Sequence, residues 1–153
     1  LVKLRRLLEQ HRPPAPTYPR PFVRLEAENF LTLDGYDIED TNRRASHRLN
    51  VKLAAGSTKG RIAVPFDEPY TPTRARYDAE VRYHAETAGA CRYTLSVNGV
   101  RQGDSWQSST GTDWQSHAIA GITVRSNDTI AVETACEGGA TGRLDYVHLA
   151  RRP

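Results

Sequence analysis

At 153 residues, with 38% hydrophobic and 25% charged side chains, the chain has the length and composition of one folded domain and not of a disordered segment. Its net charge is +3, yet residues 1–22 carry five basic side chains against Glu9 and the tail adds Arg151 and Arg152, so that of 21 basic and 18 acidic residues, 14 and 17 fall within 23–150. An acidic body argues against a surface that grips phosphates, which excludes nucleic acid as a partner, and no apolar run approaches the roughly 18–20 residues that span a bilayer.

The first expected element is a short amphipathic helix over residues 1–11, with Leu1, Val2, Leu4, Leu7 and Leu8 at helical spacing and basic residues opposite. Five prolines in residues 12–21 then favour an extended linker. The helix reads as the end of an upstream domain, residues 12–22 as the linker, and residues 23–150 as a separate module. The chain opens on Leu1 without an apolar signal-peptide core, and a fragment of a longer secreted enzyme is the expectation.

From Val23 the pattern changes to short β-type runs between turn residues. Strands are predicted over 23–30, 48–53, 60–65, 75–84, 92–97, 115–124, 129–134 and 144–149. In Tyr77-Asp-Ala-Glu-Val-Arg-Tyr-His84, the apolar Tyr77, Ala79, Val81 and Tyr83 alternate with polar residues, as in a half-buried strand. Val97-Asn-Gly-Val100 signals a tight hairpin, because Asn-Gly accepts the positive φ angles of a type I′ turn. No long helix or repeat follows residue 22, so the expected fold is all-β: a two-sheet antiparallel β-sandwich of jelly-roll type. Cys91 and Cys136 lie near strand ends, where a bridge fits and would imply an oxidising compartment; two buried free thiols are the alternative.

Catalysis finds little support. His11, His47, His84, His117 and His148 are scattered singly without metal-ligand spacing, and there is no Gly-x-Ser-x-Gly elbow and no phosphate-binding glycine loop. Glu26 and Glu28 lie two apart on one predicted strand, and Asp145 sits in the last one. If first and last strands are neighbours, three hard oxygen donors meet, which suits a cation better than an acid and base held at different pKa values. Pairing of the glutamates with arginines on a solvated face is the simpler alternative.

Two segments, Arg24-Leu-Glu-Ala-Glu-Asn-Phe30 and Gly142-Arg-Leu-Asp-Tyr-Val-His-Leu149, make residues 23–150 resemble a family 6 or family 35 carbohydrate-binding module. The Val-Asn-Gly hairpin, the Trp-containing loop and the Asp-Thr-Ile strand between them resemble the same families. The resemblance implies a non-catalytic module that carries a structural Ca2+ on Glu26, Glu28 and Asp145. It implies a sugar cleft lined by Trp114, after the Thr110-Gly-Thr-Asp turn, with Tyr36 as second aromatic. Trp106 matches less clearly and can also be read as capping the core. Arg143 stands where such modules often have Asn. It would suit a uronate or sulfate, pointing to an acidic glycan, or would pair with Glu137 or another loop acid. The implied partners are a polysaccharide or oligosaccharide and an upstream catalytic domain, a glycoside hydrolase, polysaccharide lyase or sulfatase, in a secreted or periplasmic protein. A structural or protein-docking sandwich without sugar binding is the rival reading.

Overall fold

The computed structural model describes Lys3 and residues 20–40, 44–68 and 75–153. The expected helix over 1–11 and most of the linker over 12–22 lie outside the described residues.

Among the described residues, twelve strands form two antiparallel sheets: β1 (Phe22–Glu26), β2 (Thr32–Asp34), β3 (Tyr36–Glu39), β4 (Asn50–Leu53), β5 (Lys59–Pro65), β6 (Ala75–His84), β7 (Ala90–Val97), β8 (Val100–Arg101), β9 (Trp106–Gln107), β10 (Trp114–Val124), β11 (Thr129–Glu137) and β12 (Leu144–Arg151). The first sheet runs β10-β6-β12-β4-β3, with β1 lying beside β4 along the same flank of β12. The second runs β2-β5-β11-β7-β8, with β9 also on β7. This is the two-sheet antiparallel sandwich that the alternation predicts.

The alternation places the core. Tyr77, Ala79, Val81 and Tyr83 of β6 are buried, as are Tyr93, Leu95 and Val97 of β7, and the two inner faces meet in one apolar cluster. Aromatic pairs join the sheets, with Tyr83 and Tyr93 at 5.3 Å between ring centroids and Phe66 edge-on to Tyr77 at 5.3 Å. At the Val97–Val100 turn both Asn98 and Gly99 have positive φ, 51° and 78°, as a type I′ hairpin requires.

The strand predicted over 23–30 ends early. β1 stops at Glu26 and a single 3-10 turn, Ala27–Asn29, carries the chain away. Glu28 therefore does not share a strand face with Glu26. A disulfide joins Cys91 and Cys136, which stand directly opposite each other on β7 and β11.

Candidate functional site

Along one end of the first sheet, backbone pairing sets Trp114, His84 and Arg143 in a cross-strand row, and the Glu39–Asn50 pair adjoins it diagonally. Trp114 of β10 pairs with His84 of β6, whose N–H donates to the Arg143 carbonyl just before β12 at 3.1 Å. On the other side of Arg143, Glu39 and Asn50 pair across β3 and β4. Side chains link the row. The Trp114 and His84 rings meet edge-on at 5.1 Å, the Arg143 Nε donates to Glu39 Oε1 at 2.7 Å, and Asn50 Nδ2 donates to the same oxygen at 3.2 Å. Burial disfavours the Glu39 carboxylate charge, but the hydrogen bonds from Arg143 and Asn50 outweigh it and hold its pKa below the usual value.

The segment 44–48 crosses this end of the sheet. Arg44 pairs with Asp113 at 3.1 Å, Ser46 N–H donates to both Asp145 oxygens at 3.0 and 2.9 Å, and Ser46 Oγ donates to Glu26 Oε1 at 2.8 Å. His47 and Arg48 adopt positive φ of 51° and 64°, costly for residues with a Cβ and sustained by those side-chain anchors.

Beyond that segment lies an acidic cluster. One ligating atom each from Glu26, Glu28 and His47 lies within 4.8 Å of the others. Glu26 and Glu28 are 8% and 9% exposed, and each has a buried Oε2 without a hydrogen-bond partner. Burial above all, reinforced by the charges of Glu26 and Asp145, pushes the Glu28 pKa up. Two crowded carboxylates with orphaned oxygens fit a hard cation such as calcium, which takes oxygen ligands. Asp145, the expected third ligand, is fully buried beside the pair: its charge bears on Glu28, while its oxygens accept from Ser46 N–H and from Arg82 Nη1 at 2.9 Å. His47 adds a nitrogen to the group, an atom foreign to calcium's usual oxygen set.

The expected aromatic platform does not assemble. Tyr36 is 5% exposed and its hydroxyl is bonded to Thr134 Oγ1 and to the Gly142 carbonyl at 3.0 Å. Gly60 makes room for that ring, since a Cβ there would come within 2.5 Å of Tyr36 Cε2. Trp106 is 8% exposed, stacked on Tyr93 at 5.6 Å and covered by His117 at 4.1 Å. Both belong to the core, having been drawn in by pairing that the loop-like sequence around them conceals. Trp114 is also 8% exposed, with the Arg82 guanidinium 5.4 Å from its ring, but it stays in the same row as Arg143. Arg143 pairs with Glu39 and not with Glu137.

The sequence reading missed Glu39, whose alternation with Tyr36 in β3 was the available signal. It also missed a polar groove of about 430 Å³ on the outer face of the second sheet, lined by Asp34, Lys59, Arg61, Arg92, Thr94 and Glu133. Among the described residues, no aromatic ring lines that groove.

No protein-family profile and no curated protein matches the chain. Solved structures do. The GH26-CBM35 β-(1,4)-mannanase of Podospora anserina superposes with a TM-score of 0.68 and 19% identity over 87% of this chain, which spans only 28% of that enzyme. A family 35 carbohydrate binding module from Clostridium thermocellum matches with a TM-score of 0.67 and 20% identity, over 84% of this chain and 96% of the module. A family 36 module in complex with calcium and xylotriose matches with a TM-score of 0.59 and 20% identity, over 84% of this chain and 99% of that one. The chain is thus a β-sandwich with the fold of the family 6, 35 and 36 carbohydrate-binding modules.

Proposed function

We propose that this chain is a non-catalytic carbohydrate-binding module, stiffened by calcium, that holds an attached catalytic domain near its polysaccharide in a secreted or periplasmic protein. The carrying observation is the cross-strand row Trp114, His84 and Arg143 at one end of the sandwich, with Glu39 bound to the Arg143 side chain. A sugar packs its C–H face against an aromatic ring face and needs donors and acceptors for its hydroxyls; Arg143 and Glu39 supply the polar pair here, beside the Trp114 ring. Targeting acts through effective concentration and requires no chemistry of the module itself. The disulfide agrees with an oxidising compartment.

The acidic-glycan reading rested on a free Arg143. With the guanidinium bound to Glu39 it loses that footing. A second reading, a sandwich that spaces or docks proteins without binding sugar, draws on the burial of Tyr36, Trp106 and Trp114.

Affinity electrophoresis against a panel of polysaccharides tests the proposal. Trp114→Ala and Arg143→Ala are each expected to weaken retention about tenfold, equivalent to about 1.4 kcal/mol, while circular dichroism stays that of the parent. Retention on no polysaccharide favours the spacer.

Calcium is tested by melting. In the folded chain the Glu28 pKa lies above its ordinary value of 4.5, so the stability it contributes is present below that value and is lost as the pH rises through the folded pKa. Glu26 and Glu28 would hold the ion, which supplies the positive charge that a proton supplies in acid. Added calcium should therefore raise Tm more at pH 7 than at pH 4, and a chelator should reverse it. Equal shifts, or none, would count against this site.

A further inference from the structure

A guanidinium carries five N–H donors in a rigid plane. In Arg143 three are engaged: Nε by Glu39 Oε1 at 2.7 Å, Nη2 by Glu39 Oε2 at 3.3 Å, and Nη1 by Thr141 Oγ1 at 3.0 Å. One N–H remains on Nη1 and one on Nη2. The side chain is 23% exposed, so a ligand can reach the guanidinium.

The fork is held from behind. Thr141 Oγ1, which accepts from Arg143, donates in turn to the buried Glu86 carboxylate at 3.0 Å, and Glu86 also accepts from Thr141 N–H at 3.1 Å and Gly142 N–H at 2.9 Å. That arrangement locks the 141–143 segment and with it the Arg143 side chain. Glu39 is fixed on the opposite side by Asn50, with Lys52 3.9 Å away.

Each cation of this edge has an acid partner among the described residues: Glu39 is shared by Arg143 and, at 3.9 Å, by Lys52, and Arg44 pairs with Asp113. A carboxylate or sulfate entering here would compete with the Glu39 charge for Arg143, and burying a charge without a partner is unfavourable. A pair of adjacent sugar hydroxyls has no such penalty. They can accept from the two free N–H groups and donate to the lone pair left on Glu39 Oε2.

We infer that Glu39 sets the specificity of this site: paired with Arg143, it makes a neutral donor and acceptor clamp for adjacent hydroxyls of an uncharged sugar. The inference rests on the carbohydrate-binding reading and narrows it to neutral glycans.

The test is affinity electrophoresis of the full chain, Glu39→Gln and Arg143→Lys in gels containing mannan, β-glucan or galactan, and in gels containing polygalacturonate or a sulfated galactan. Thermal melts check that both variants fold. The parent should be retarded by a neutral polysaccharide, with little effect of added salt. Arg143→Lys, which lacks the planar fork, should lose at least tenfold in affinity. Glu39→Gln should weaken neutral binding and gain retention on polygalacturonate, because it frees the Arg143 charge. Preference of the parent for polygalacturonate or sulfated galactan would overturn the inference while leaving carbohydrate binding intact. Neutral retention within twofold of the parent in both folded variants would also overturn it. Retention on none of the five would overturn the carbohydrate reading beneath it.

Discussion

Asp145→Ala is expected to lower the stability of the sandwich by about 3–5 kcal/mol, the range found when one partner of a buried ion pair is removed. The side chain is fully buried and accepts from Ser46 N–H and from Arg82, whose side chain is 26% exposed. Burial pushes the Asp145 pKa up, and the Ser46 N–H and Arg82 pull against that shift, so the carboxylate depends on those partners. Alanine would leave the Ser46 N–H and a half-buried guanidinium unsatisfied. Urea denaturation measures the loss, and at a few degrees of Tm per kcal/mol for this size the melt should fall by about 10 °C. Asp145→Asn should cost less, because it keeps an acceptor. The alanine variant should also release the 44–48 segment, seen as faster amide exchange there. A loss below about 1 kcal/mol would mean that Asp145 is not the anchor of that segment.

Removing the disulfide with Cys91→Ser and Cys136→Ser should cost a similar amount. The bridge closes 45 residues, and the chain-entropy account gives about 4 kcal/mol for a loop of that size. The cysteines face each other across β7 and β11, beside the Glu86 carboxylate and within reach of Gly142, where a Cβ would come 3.1 Å from Cys136 Sγ. Loss of the bridge should thus loosen the 141–143 segment as well as the sheet, and calorimetry with and without a reductant would read the first effect. A reduced protein that melts at the same temperature would refute the estimate.

Much of the architecture was legible because it is written locally. The alternation in 77–84 and 93–97 and the Asn98-Gly99 turn each need only a few neighbouring residues to be read. The site was less legible because its contacts are distant in sequence. Tyr36 lies beside a glycine, as a loop residue would, and only its pairing with Thr134 and Gly142, about a hundred residues away, draws it into the core. Trp106 sits in a polar stretch, yet a two-residue strand on β7 turns it inward beneath His117. Glu39 and Arg143 are 104 residues apart, so nothing near either one discloses the pair. Asp145 was expected to help hold the cation because first and last strands do pair, with Glu26 opposite Tyr146. What no local pattern carried was the 3-10 turn after Glu26 and the arrival of Ser46 N–H at Asp145.

The pairing of β1 with β12 has a further consequence. Phe22, where the described sandwich begins, lies opposite Ala150, near where it ends, so the chain enters and leaves at the same pole. Arg143 stands about seven strand positions from Ala150, or roughly 20 Å at the rise of an extended chain. A domain joined at either terminus would then hold the sandwich by its base, with the Trp114 and Arg143 row as the distal tip. The module would reach outward like a probe, able to touch a polymer before the body behind it arrives.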